Sequence, residues 1–176
     1  MKKALWSSAL LASVVFVTAP AQAIQISYDL ASLGGNQYRY TYTVMNDGST
    51  GGAVELFDIL FDPAIDDELS LTIVTGDPPA SAWSEQIIAS GILIPAAYDA
   101  LALSGGIPIS SSETGFAVEF AWLGAGTPGA QGFEIYDPIT FDLIETGTTT
   151  VVPAPSAGLL LFTGLLTLLR ASRRGN

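Results

Sequence analysis

The chain reads as an all-β protein. The expected architecture is an antiparallel β-sandwich, jelly-roll or Ig-like, between an N-terminal signal helix and a C-terminal transmembrane helix. Three observations predict it. Runs of alternating apolar and polar residues recur through the middle of the chain, the period-2 pattern of half-buried strands. Clusters of Gly, Pro, Asp and Ser separate these runs. No helical pattern of the length that joins parallel strands lies between them, which leaves antiparallel pairing in two layers.

The elements follow in order. Lys2 and Lys3 precede an apolar stretch from Ala4 to Val17, and Ala21-Gln22-Ala23 is a small-x-small site after Pro20. This is the pattern of a secretory signal peptide over residues 1–23, with Ala21 and Ala23 marking the cleavage site and Ile24 left as the mature N-terminus. Tyr38, Tyr40, Tyr42 and Val44 alternate with Arg39, Thr41 and Thr43, a strand with one aromatic face. Asn46 to Gly52 is rich in turn formers. Phe57, Ile59 and Phe61 form a second strand, which Pro63 ends because a central strand does not admit proline. Leu69, Leu71 and Ile73 form a third.

Ser84 to Ser90 reads as a turn of helix, and Ala96 to Leu103 is ambiguous between strand and short helix. Phe116, Val118, Phe120 and Trp122 share one face of a long strand. Phe133 and Ile135 open another, and Ile139, Phe141 and Leu143 a last one. The acidic β-domain is expected over residues 24–145. Residues 146–151 are expected as an extended linker, and residues 152–176 as a separate tail.

Charge is distributed unevenly. The whole chain carries −11, but Lys2, Lys3, Arg170, Arg173 and Arg174 all lie in the ends. Between Ile24 and Val152 stand all 17 acids and one cation, Arg39, a net −16. Nucleic acid and anionic lipid select for Lys and Arg, so neither is expected as a partner of this segment. There is no Cys and no His. Stability must come from packing, and histidine-based acid–base chemistry and most zinc sites are excluded. No catalytic residue and no resident cofactor are expected.

Three internal motifs have a chemical reading. Asp62, Asp66, Asp67 and Glu68 are the densest acidic cluster. They read first as a solvated loop and second as a calcium site, since carboxylates on a loop can ligate that ion. Their spacing lacks the glycine and closing glutamate of an EF-hand. Gly124-Ala-Gly126-Thr-Pro-Gly129 matches G-x-G-x-x-G, but a strand follows it rather than a helix, so it reads as a hairpin loop. Glu119 and Glu134 are expected on neighbouring strands, and Glu119 on an outer face. Trp122 is expected in the core, and Trp83 as the more exposed tryptophan.

The tail carries the strongest signal. Val152-Pro153-Ala154-Pro155-Ser156 is followed by an uncharged, leucine-rich run. Leu159, Leu160, Leu161 and Phe162 supply its first half, and Leu165, Leu166, Leu168 and Leu169 its second. From Ala154 to Leu169 a helix would extend about 24 Å, a short span for a hydrocarbon core of about 30 Å. The run is apolar on every face, unlike an amphipathic helix of a soluble core. Arg170, Arg173 and Arg174 follow at once as stop-transfer charges, which stay on the cytoplasmic side.

This tail resembles the PEP-CTERM sorting domain of exported bacterial proteins. Such tails have a Pro-Glu-Pro-like motif, a short apolar helix and terminal arginines, in that order. The likeness covers about 25 residues, Val152 to Asn176. Ala154 stands where the family has Glu. The resemblance implies recognition by an exosortase-like membrane enzyme that cleaves near the motif. It also implies anchoring in the inner membrane before processing, with residence at the cell surface or outside it afterwards. Members occur in bacteria that make exopolysaccharide, which makes such polymers expected partners. The function this implies is that of a non-enzymatic surface or matrix protein. An extracellular carbohydrate-binding module, calcium-assisted or not, is the alternative.

Overall fold

The computed structural model describes residues 24–48, 50–74, 82–92 and 94–152. Among them lie ten strands and no helix. They are β1 (Ile24–Gly34), β2 (Gln37–Asn46), β3 (Leu56–Phe61), β4 (Asp66–Ile73) and β5 (Trp83–Ile88). After these come β6 (Ala96–Ala102), β7 (Ser111–Trp122), β8 (Gly132–Tyr136), β9 (Leu143–Thr148) and β10 (Thr150–Val151). The first sheet has the order β10-β1-β2-β7-β4 and the second β5-β6-β3-β8-β9. Every pair is antiparallel except β1 with β10.

The alternation in β2 does what its period requires. Tyr40, Tyr42 and Val44 are fully buried, while Arg39, Thr41 and Thr43 point the other way. Its neighbour β7 sets Val118 opposite Tyr40 and Phe116 opposite Tyr42. Beyond that pair the register shifts by one residue, because Gly115 has no partner on β2. Gly115 has φ +102°, a conformation that a side chain would strain, so the bulge falls on the glycine. Past the bulge, the Thr43 and Thr114 hydroxyls bond to each other at 2.8 Å.

The two sheets meet through aromatic rings. Phe57 of β3 lies edge-on to Phe116 of β7, with centroids 4.9 Å apart. Trp83 of β5 meets the same Phe116 at 4.9 Å and 90°. Phe61 reaches Phe120 at 5.8 Å, and Phe120 stacks on Tyr40 at 5.1 Å. Offset and edge-on rings of this kind add to the area that they bury. Tyr40 donates its hydroxyl to the Gly129 carbonyl at 2.6 Å, and Tyr42 donates to Gln131 Oε1 at 3.3 Å. Asn46, also buried, donates to the Gly52 and Ile107 carbonyls and accepts from the Gly48 N–H. Buried polar groups are costly unless bonded, and these three are bonded.

Several expectations are corrected. Ser84 to Ser90 holds most of strand β5 rather than a helical turn, since pairing with β6 decides what a short, weakly patterned run cannot. Trp83 is 4% exposed and belongs to the core, because β5 turns it inward onto Phe57 and Phe116. Leu69 is 94% exposed, not a core residue beside Leu71. The register of β4 on β7 breaks between Asp67 and Thr72, and the Ser70 hydroxyl in that bulge accepts the Ala121 N–H at 2.6 Å. Residues 137–142 form a turn rather than a strand. Asp137 Oδ1 accepts the Ile139 and Thr140 N–H groups at 2.8 Å each, and Ile139 is left 85% exposed. Residues 146–151 are not a linker, because β9 ends there and β10 pairs with β1.

The signal segment, with Ala21 and Ala23, lies outside the described residues, and so does the tail after Val152. No helix among the described residues is long and apolar enough to cross a membrane.

Candidate functional site: a polar row across the second sheet

The register of the second sheet aligns five polar residues, one from each strand. Gln86 on β5 faces Asp99 on β6, which faces Asp58 on β3. Asp58 faces Glu134 on β8, which faces Thr146 on β9. Phe57 and Ile59 on either side of Asp58 turn into the core, so this row lies on the outer face. Directly opposed side chains in a sheet stand about 4.5–5.5 Å apart at Cβ, so three carboxyl groups crowd together at the centre of the row.

Like charges so placed oppose ionisation. Burial first, then the charge of Asp99, a hydrogen bond with Asp99 and the charge of Glu134 push the Asp58 carboxyl up to about 7. Asp58 Oδ1 has no fixed partner among the described residues. Two carboxylates cannot bond to each other without a proton, so the Asp58–Asp99 contact belongs to the protonated form. Asp99 also accepts from Gln86 Nε2 at 3.0 Å, and Glu134 accepts the Tyr136 hydroxyl. Beside the row lies a groove of about 290 Å³, whose walls include Asp58, Glu134, Tyr136, Leu60 and Ile94. Chemically the row offers carboxyl oxygens and a tyrosine edge on an apolar floor. Such a surface suits a neutral ligand rich in hydroxyls and repels anions.

The residues singled out from sequence fall elsewhere. Val152 donates its N–H to the Tyr28 carbonyl at 2.9 Å, while Pro153, Ala154, Pro155 and Ser156 lie outside the described residues, as do the anchor leucines and the arginines. Glu119 and Glu134 are not on neighbouring strands. Glu119 sits in the first sheet, on its outer face as expected, and takes Arg39 as an ion pair with Nε at 2.9 Å, whereas Glu134 sits in the second.

Asp62, Asp66, Asp67 and Glu68 do not converge. Asp62 accepts the Ala64 N–H, Asp66 the Asp62 N–H, Asp67 the Leu69 N–H and Glu68 the Ser90 N–H. Each carboxylate is tied to backbone, and among the described residues no group of three or more acidic side chains is placed to hold a metal ion. Nor is the cluster a solvated loop throughout, since Asp66 opens β4 and is 3% exposed. Sequence reasoning missed the row because Asp58, Asp99 and Glu134 are far apart in the chain. The visible signal was an acid at the outward position of three apolar strands.

No family model matches the chain, and no curated protein matches it. Several solved structures do. One is a GH20 exo-β-N-acetylglucosaminidase from Vibrio harveyi, in complex with N-acetylglucosamine. It is 11% identical with a TM-score of 0.36, over 75% of this chain and 18% of that one. The chain therefore spans about a fifth of that enzyme's length. Another is from a type I cohesin–dockerin complex of Clostridium thermocellum, 14% identical with a TM-score of 0.36, over 74% of this chain and all of that one. A third is from a complex of CaCohA2 with a variant of CaDoc0917, at 12% and 0.34, over 73% of this chain and all of that one. Likeness of this order says nothing about activity or partner.

Proposed function

We propose that this is a non-enzymatic exported protein of the bacterial cell surface or matrix, sorted and released through its C-terminal segment. One observation supports this above the rest. The described residues end at Val152, whose N–H bonds to the Tyr28 carbonyl of β1, and Val152 is also the first residue of the Val152-Pro153-Ala154-Pro155-Ser156 motif. In sequence the motif follows β10 directly, so a processing enzyme that recognises it would cut next to the last strand of the β-domain. The chain changes sheet six times, at β2–β3, β3–β4, β4–β5, β6–β7, β7–β8 and β9–β10. That frequent crossing favours the jelly-roll over the Ig-like arrangement. Intact mass and fractionation of the protein from its native cells test the sorting reading. The expected product begins at Ile24, ends near Pro155 and leaves the membrane fraction. A membrane-bound species that retains Arg174 would reduce the tail to a plain anchor.

The polar row favours a second reading, a saccharide-binding face without metal. Hydroxyls can donate to the carboxyl oxygens, the unpaired Asp58 Oδ1 among them, while Tyr136 offers a ring edge. In pull-down on insoluble polysaccharides, the Glu134→Gln and Asp58→Asn variants are expected to lose most retention, with chelator making no difference. Retention equal to that of the unaltered protein would remove the row from any binding role.

A further inference from the structure

A second pocket lies across Leu60 from the groove and shares only that residue with it. It has a volume of about 140 Å³, and its walls include Asp62, Ile65, Asp66, Trp122 and Gln131. Asp66 and Trp122 are cross-strand partners on β4 and β7. Asp66 is 3% exposed, and its Oδ2 accepts the Asp62 N–H at 3.1 Å. Its Oδ1 has no partner among the described residues, and neither does the Trp122 indole N–H. A buried acceptor and a buried donor thus stand unpaired at one cavity, in a structure whose other buried polar groups are almost all bonded.

The local sequence builds this arrangement. A Cβ on Gly124 would lie 2.4 Å from the Trp122 ring, so only glycine lets the indole lie where it does. Gly129, the last glycine of the G-x-G-x-x-G stretch, lines the pocket and accepts the Tyr40 hydroxyl. The stretch therefore seats a tryptophan and walls a cavity.

We infer that this cavity is a binding subsite for a hydroxyl group of a neutral polyol or sugar. The argument is one of complementarity. An anion would meet Asp66 and Asp62, and a cation, which accepts no hydrogen bond, would leave the Trp122 N–H unpaired. A hydroxyl is both donor and acceptor, so a single one satisfies Asp66 Oδ1 and the indole together. Leu60 and Ile65 offer apolar contact to the carbon skeleton. The volume exceeds what one water needs, which is about 10–15 Å³. None of this depends on the polar row.

The test uses the full chain in a zwitterionic detergent without a sugar head group. The probes are methyl β-glucopyranoside and glycerol, with acetate and tetramethylammonium as charged controls. The readout is the indole N–H resonance of Trp122 by NMR. The resonance is expected to shift saturably with the glucoside, while that of Trp83 stays fixed and both controls are silent. Asp66→Asn turns the acceptor into a second donor and is expected to weaken binding at least about tenfold. Asp29→Asn, at an exposed position on β1 outside the cavity, is expected to leave it unchanged. Calorimetry on Trp122→Phe, which keeps a ring and loses the N–H, is expected to show the same tenfold loss should Asp66→Asn not fold. An unsaturable shift, a response equal in Asp66→Asn or Trp122→Phe, or water contacts at the indole that no probe displaces would each overturn the inference.

Discussion

Phe116→Ala is expected to lower the unfolding free energy by about 3–5 kcal/mol, the range for truncating a buried aromatic. Phe116 is fully buried at the middle of β7 and holds edge-on contacts to Phe57 and Trp83, both from the opposite sheet. Its removal opens a cavity where the two layers are held together. The surrounding rings sit on paired strands and have little freedom to fill it. A domain of this size has on the order of 5–15 kcal/mol in total, so the loss is a large share. There is no disulfide to retain a partly folded state, since the chain contains no Cys. Urea unfolding followed by tryptophan fluorescence is the measurement. A midpoint shift equivalent to less than about 1 kcal/mol would mean that the sheets are held by something other than this ring cluster.

Much of this core was legible in the sequence. Tyr40, Tyr42, Phe57, Ile59, Phe116, Val118 and Phe120 were all placed on the inward face by period-2 alternation, and all are buried. Alternation fails where the backbone departs from regular pairing. Leu69 keeps the spacing of an inward residue but falls in the β4 bulge. Ile139 and Phe141 keep it too, yet the side chain of Asp137 folds residues 137–142 into a turn.

The edge strands β5, β9 and β10 were missed because their patterns are short or polar, and pairing with a neighbour supplies what propensity does not; β1, inside the first sheet, was missed although Ile24, Ile26, Tyr28 and Leu30 alternate along it. The functional surface was less legible than the core. Its residues become neighbours only through register between strands that the sequence alone does not align. Asp66 shows the limit well. As a member of an acidic run it reads as solvated, but opposite Trp122 it is a buried acceptor with one oxygen unpaired.

Asp58→Asn is expected to stabilise the protein at pH 8 and to have little effect near pH 4. The folded state holds the Asp58 carboxyl at about 7, against an ordinary value of 3.8, through burial and the acids around it. An acid whose affinity for its proton rises on folding favours the folded state at low pH. Below about 4 the group is protonated in both states and its burial carries no charge. Between about 4 and 7 the unfolded chain releases the proton and the folded chain keeps it, so stability falls as pH rises. Above about 7 both states are ionised, and the folded one carries the full repulsion of Asp99 and Glu134.

Asparagine keeps the shape and removes the charge at every pH. The gain at pH 8 should be on the order of 1–2 kcal/mol, since solvent reaching the row screens the repulsion. Asp66, pushed up to about 6 by burial, slopes the same way. The unaltered protein should therefore also lose stability between pH 5 and 8, and Asp58→Asn should flatten part of that fall. Thermal unfolding of both proteins at pH 5 and pH 8 gives the answer. A difference between them that does not change with pH would mean that Asp58 is not protonated in the folded state, and the row would then be an ordinary set of solvated carboxylates.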